Sequence, residues 1–354
     1  MLPIEIPQPV AFESQDINEK HLRSFVFEGE FPAVPLTISA ESRCQGVPGW
    51  DGPDYQYSAY ATLFYDDGST FCYNFLDFDP GDHGWQRLTR YIRPRLPALK
   101  IQVDYFFEHK RGAVDYWDLV ITEAPPRPEP DRRVALLGDS NVITYYLHPS
   151  DRVDAFLQAS LADSHPGVSI EVENCALGGD AVRNLLDSKR YERDLLTLGR
   201  IDVAFIRYGL NDMNRYDPAT FESLQRELVS RLRSDFPGIR IVLETSTFID
   251  FPAHNTSDTN ARSKPYFEVT RRLGAEIADG LVDVWEIMRL ETERGNWDLR
   301  YRSHPLGKLI LDGRFDAEFD FAPSFYSNPH HTPPANRLVA AAEHEMLVKE
   351  GWLT

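Results

Sequence analysis

Val134-Ala135-Leu136-Leu137-Gly138-Asp139-Ser140-Asn141 is an apolar run cut off by a glycine, with polar residues directly behind it. An unbroken apolar run of this length fits a strand buried on both faces, and the glycine permits a sharp exit from it. A helix-like stretch over 149–161 follows. Apolar runs at 168–172, 203–206 and 239–243 then alternate with helix-like stretches at 181–196, 218–235 and 266–280. Strand and helix in alternation predict an α/β domain, a parallel sheet with helices on both faces. Active groups in such sheets stand at the carboxyl ends of the strands, and that rule selects the loops to read closely.

Upstream, Pro125-Pro126-Arg127-Pro128-Glu129-Pro130 removes backbone donors and holds the chain extended. A linker is therefore expected at 125–132, between a first domain at 1–124 and a second at 133–354. The first domain is rich in aromatic and β-branched residues in short runs. Residues 57–65, the turn Asp66-Asp67-Gly68-Ser69 and residues 70–75 predict a hairpin. Further runs at 98–107 and 116–122 fit the same pattern, so the expected architecture is an all-β sandwich of jelly-roll type.

The 354 residues carry 37 Lys and Arg against 55 Asp and Glu, a net charge of -18 that repels a phosphate backbone. Nucleic acid is not an expected partner, and a neutral substrate is the easier one to bind. No stretch approaches the ~20 apolar residues of a membrane helix, so no membrane partner is expected. The start, Met1-Leu2-Pro3-Ile4-Glu5-Ile6-Pro7, lacks a basic region followed by an apolar one. The expected location is cytoplasmic for a full-length product, and secreted or periplasmic if a leader has been removed. Cys44, Cys72 and Cys175 have no metal-binding spacing; buried free thiols are expected, with a Cys44–Cys72 bridge as the alternative. The oligomeric state is not legible.

Four places in the second domain put polar or flexible residues behind an apolar run. In Gly138-Asp139-Ser140-Asn141 the serine would head the next helix with its hydroxyl in the cleft. In Gly178-Gly179-Asp180 a glycine pair lets a backbone N–H approach a ligand closely. In Gly209-Leu210-Asn211-Asp212 the Asn211 amide offers a second donor, and the two donors suit an oxyanion hole. In Asn328-Pro329-His330-His331-Thr332-Pro333-Pro334-Ala335-Asn336, ahead of a helix expected from about Arg337 to Glu350, a histidine can reach Ser140.

The order Ser140, Gly179, Asn211, His331 resembles the SGNH or GDSL hydrolase family across the second domain. The resemblance implies a flavodoxin-like α/β/α fold and ester hydrolysis through an acyl-enzyme, with no metal and no cofactor. Ser140 would be the nucleophile and His331 the base, while the N–H groups of Ser140 and Gly179 and the side chain of Asn211 would hold the oxyanion. The family usually has Asp three residues before its histidine, where this chain has Asn328. An amide can orient an imidazole through its carbonyl but cannot stabilise imidazolium with a full charge. Asn328 is taken as the orienting residue; a backbone carbonyl, or Asp316, Glu318 or Asp320, are alternatives. His330 as base with Ser327 at the acid position fits the following Pro-x-Ala spacing less well. Arg207, on an apolar strand, needs a partner, and Asp139, Asp180 or Asp212 is expected, with substrate contact as the alternative.

In the first domain, Phe78-Asp79-Pro80-Gly81-Asp82-His83-Gly84-Trp85-Gln86 and Asp115-Tyr116-Trp117-Asp118-Leu119-Val120 are similar to the end of a carbohydrate-binding jelly roll. Trp50, Trp85 and Trp117 are candidates for stacking on sugar faces, with core packing the commoner use of such residues. The function expected is a carbohydrate O-acetylesterase with an acylated carbohydrate as substrate. The alternatives are a lipase or thioesterase-like relative, a sugar-binding protein on a disabled hydrolase scaffold, and acyl transfer to another sugar hydroxyl.

Overall fold

The computed structural model describes residues 2–16, 19–47, 57–108, 110–145, 147–248, 257–294, 331 and 333–353. Two compact units result: Met1–Pro128 with Tyr145–His148, and Glu129–Thr144 with Pro149–Thr354.

The first unit consists of strands. β1 (Ile4–Ile6), β2 (Val10–Ser14), β4 (Leu36–Gln45), β7 (His83–Ile92) and β9 (Gly112–Glu123) form one antiparallel sheet, and β3 (Lys20–Phe31), β5 (Tyr57–Tyr65), β6 (Thr70–Asp77) and β8 (Ala98–Glu108) form another. Side chains alternate along each strand. Leu36, Ile38, Ala40 and Cys44 of β4 and Tyr57, Ala59, Ala61 and Leu63 of β5 enter one shared apolar core, the arrangement of a β-sandwich. β5 and β6 pair as the predicted hairpin, Phe64 opposite Thr70. Buried Tyr57 is satisfied by Ser42 Oγ at 2.6 Å, and Tyr116 by the Phe106 carbonyl. Trp85 and Trp117 are 48% and 40% exposed, contrary to a core role, because both occupy outward positions of β7 and β9. Trp50 lies outside the described residues.

The second unit is a five-stranded parallel sheet in the order β11 (Ile170–Asn174), β10 (Arg132–Gly138), β12 (Val203–Arg207), β13 (Arg240–Glu244), β14 (Gly280–Val282). This is the doubly wound order in which β10 is the switch point, so its carboxyl end opens into a crevice. Ala135, Leu137, Ala204, Ile206, Ile241 and Leu243 face α3 (Val182–Asp187), α4 (Pro218–Asp235) and α5 (Ser257–Glu276). Helices α2 (Val153–Ser164) and α7 (Pro333–Glu350) pack together against β11 and β14. A further helix, α6 (Val284–Glu293), follows β14. The second unit is thus α/β in three layers, and the first is a β-sandwich. Among the described residues, no helix is long and apolar enough to cross a membrane. All three cysteines are free thiols.

Local chemistry places most boundaries. Asp217 caps α4 by accepting the Thr220 N–H at 2.8 Å, with Pro218 at the first helical position where no donor is needed. The helix expected over 181–196 stops instead at Asp187. Ser188 is extended there, and its hydroxyl accepts the Arg190 N–H at 3.3 Å, competing with the helical pattern.

Candidate active site

The carboxyl end of β10 is shaped by a close approach. A Cβ on Gly138 would lie 2.4 Å from Val142 Cγ2 and 2.6 Å from the Arg207 carbonyl, so only glycine lets the chain turn this tightly onto β12. Asp139 caps the single turn α1 (Ser140–Ile143), its carboxylate accepting the Asn141 N–H at 2.9 Å. Ser140 heads that turn and is partly exposed. The turn closes at Thr144, whose N–H donates to the Ser140 carbonyl at 3.1 Å.

The second loop is held against the first by the Leu177 N–H, which donates to the Gly138 carbonyl at 3.1 Å. Asp180 N–H closes a turn onto the Leu177 carbonyl, with exposed Gly179 at φ +73°. From β12, Asn211 Nδ2 donates to Asp139 Oδ2 at 3.2 Å and to the Asp180 carbonyl at 2.9 Å. Asp212 accepts the N–H groups of Gly209 and Val182, each at 3.1 Å. Three loops from three strands therefore meet around Asn211. Both of its amide hydrogens already have acceptors, so an oxyanion here would share one of them with Asp139.

The fourth segment enters beside the first. His331 is 2% exposed, and its Nδ1 lies 3.3 Å from Asn336 Oδ1. Asn336, in the first turn of α7, places its Nδ2 3.0 Å from the Asp151 carbonyl and 3.3 Å from Thr144 Oγ1. Through Thr144 the histidine segment touches the turn that Ser140 begins. Asn328, Ser327, His330, Asp316, Glu318 and Asp320 lie outside the described residues.

The family description "GDSL-like lipase/acylhydrolase" matches residues 136–307. Residues 136–307 belong to the GDSL-like lipase/acylhydrolase family. The second unit is accordingly an ester hydrolase. The match takes in Ser140, Gly179 and Asn211 and stops before His331. Among solved structures, the chain is similar to a putative GDSL-like lipase from Parabacteroides merdae (17% identity, 64% of this chain and 98% of that one, TM-score 0.47). It is also similar to an acetylxylan esterase from Geobacillus stearothermophilus (19%, 64% and 97%, TM-score 0.44) and to a Bacillus subtilis protein (15%, 93% and 80%, TM-score 0.43). No curated protein sequence matches the chain at a significant level.

The electrostatics of the GDSL-like unit differ from the sequence expectation at one point. Arg207, fully buried, pairs not with Asp139, Asp180 or Asp212 but with Glu244 at the end of β13 (Nη2 to Oε2, 2.8 Å) and Glu343 of α7 (2.7 Å), and its Nη1 lies 3.4 Å from the Asn141 carbonyl. Asp180 is taken instead by Arg190 at 2.6 Å and by the Tyr208 hydroxyl at 3.1 Å. One guanidinium cannot neutralise two buried carboxylates, and burial together with the Glu244 charge pushes the Glu343 carboxyl well above its usual range. Burial likewise raises Asp139 to about 7 and Asp212 to about 6. Near the Gly209 loop, Tyr266 bonds the Tyr216 carbonyl through its hydroxyl. Among the described residues no cluster of His, Cys, Asp and Glu is placed to hold a metal ion.

Sequence reading missed Asn336, Thr144, Glu343 and the Arg190–Asp180 pair. An asparagine close behind the histidine pair, at the end of the quoted block, was the one available signal.

Proposed function

We propose that the GDSL-like unit removes O-acetyl groups from a carbohydrate, with Ser140 as nucleophile and His331 as base. The observation that carries this reading is the Asn211 amide, bonded at once to the neighbour of Ser140 and the neighbour of Gly179. It gathers a hydroxyl, a left-handed glycine N–H and an amide at the mouth of one sheet.

In this reading Ser140 Oγ attacks the acyl carbon while His331 takes its proton. The oxyanion that develops is held by the N–H groups of Ser140 and Gly179 and by Asn211 Nδ2. Collapse breaks the ester bond, and His331 returns the proton to the departing sugar hydroxyl. Water, deprotonated by His331, then attacks the acyl-enzyme and releases acetate and Ser140. Asn328→Asp is expected to retain or raise turnover, and a large loss would show that the amide at that position is itself required. A carbohydrate substrate is supported by two features, the net charge that favours a neutral partner and the exposed Trp85 and Trp117 of the sandwich unit.

One observation favours a second reading, a sugar-binding protein on a disabled scaffold: both hydrogens of the Asn211 amide are already engaged. Acetate release from a panel of acetylated oligosaccharides and an aryl acetate separates the two. The esterase reading expects turnover that disappears in Ser140→Ala and in His331→Ala. Turnover surviving in Ser140→Ala would sink it, and sugar binding without any turnover would favour the second reading. Activity on the aryl acetate alone would keep the esterase and discard the carbohydrate.

A further inference from the structure

The hydrogen bonds around Asn336 determine more than its position. An amide presents an acceptor on one side and two donors on the other, and which side is which follows from its neighbours. The group 3.0 Å from the Asp151 carbonyl must be the NH₂, because that carbonyl only accepts. The same NH₂ reaches Thr144 Oγ1. The amide oxygen is therefore turned toward His331 Nδ1, and because that oxygen also only accepts, Nδ1 must carry the proton. A neutral imidazole has one N–H, so the lone pair belongs to Nε2.

We infer that Asn336 is a positioning residue that holds His331 in the Nδ1–H tautomer and so presents Nε2 as the base, an inference that rests on the reading of His331 proposed above. The orienting contact at Nδ1 thus comes from a residue five positions behind the histidine. The placement is rigid. Asn336 is fully buried, its amide is tied to α1 and to the segment before α2, and Ala340, Val339 and Glu343 of the same helix are buried with it. Glu343 anchors α7 to Arg207. An amide orients without adding charge, so the bond from Asn336 gives His331 a defined tautomer and contributes no charge of its own.

Nitrogen NMR of the ring nitrogens of His331 in the full-length protein at neutral pH reads the tautomer directly. The expected wild-type spectrum has a protonated Nδ1 and an unprotonated Nε2; the reverse overturns the inference without any mutant. Asn336→Ala is expected to give a tautomer mixture and to lower kcat for an aryl acetate on the order of 10- to 100-fold, with KM within about twofold, since the base is misdirected while ground-state binding is untouched. Asn336→Asp retains an oxygen facing Nδ1 but turns its other oxygen toward the Asp151 carbonyl, so it is expected to keep the Nδ1–H tautomer at a lower melting temperature; its spectrum also serves if the alanine variant does not fold. A folded Asn336→Ala with wild-type kcat and tautomer overturns the inference, as does Asn328→Ala producing the tautomer mixture in its place. Full turnover in His331→Ala would instead remove the proposed base itself, whatever the tautomer, and with it the catalytic role of Asn336.

Discussion

Gly138 and Gly179 flank the same crevice and are glycines for opposite reasons. At Gly179 a Cβ would meet nothing within 4 Å, but φ is +73°, where an L side chain costs about 1–2 kcal/mol. Gly179→Ala is therefore expected to fold with a slightly lowered melting temperature and to lose turnover on the order of 10²-fold, through a displaced N–H at the proposed oxyanion. Gly138→Ala drives a Cβ into the Arg207 carbonyl and should lower the melting temperature much further. Thermal melts and aryl acetate kinetics on the two variants check the contrast; an equal loss of stability in both would refute it. At this scale the sequence was most informative where chemistry is local. Glycine, aspartate and serine in succession mark the turn at Ser140 because cap, nucleophile and close approach are adjacent in the chain. Arg207 was misread because its partners lie 37 and 136 residues away, and no periodicity announces such a contact.

Among the elements, α7 carries the largest share of what the sequence left unread. Its expected start, about Arg337, falls short of the observed Pro333 because prolines usually signal an ending; here they fill the first turn, where their missing N–H groups would have no partner. The helix brings Asn336 to one end of a buried face and Glu343 to the middle. Since burial and the Glu244 charge push Glu343 toward its neutral acid, a neutral amide should replace it with little loss: Glu343→Gln is expected to change unfolding free energy by less than about 1 kcal/mol. Arg207→Met leaves buried Glu244 without its counter-ion and should cost about 3–5 kcal/mol. Chemical denaturation of both variants measures the difference, and a Glu343→Gln loss as large as that of Arg207→Met would contradict the assigned protonation. The strands of the parallel sheet were legible because burial on both faces writes an unbroken apolar run. The π-type turn Tyr191–Leu195 was not, because its side chains satisfy an ordinary helical pattern.

Over the whole molecule, the raised carboxyls give a sign to the pH dependence of stability. Asp139 binds its proton up to about pH 7 in the folded state and Asp212 up to about pH 6, against an ordinary value of 3.8. Between those values the native chain holds protons that the unfolded chain has released, so this contribution is complete below the unfolded value and is lost as pH rises through the folded one. The melting temperature is expected to decline from about pH 4 to pH 7 on this account, and Asp139→Asn to flatten the decline; calorimetry across that range tests it, and an unchanged slope in the variant would exclude Asp139 as its source. The two-layer reading of the first unit and the three-layer reading of the second both came from periodicity, which reports burial pattern and therefore architecture. The ion network of Arg207, Glu244 and Glu343 has a consequence for how the chain is made. On the ribosome β12 and β13 emerge well before α7, so a nascent chain has Arg207 and Glu244 in hand while the carboxyl that completes their cage, and the helix that carries Asn336, are still untranslated. A product truncated anywhere in that interval lacks both the last strut of the sheet and the neighbour of His331, so vectorial synthesis delays the assembled site until the fold that supports it is finished.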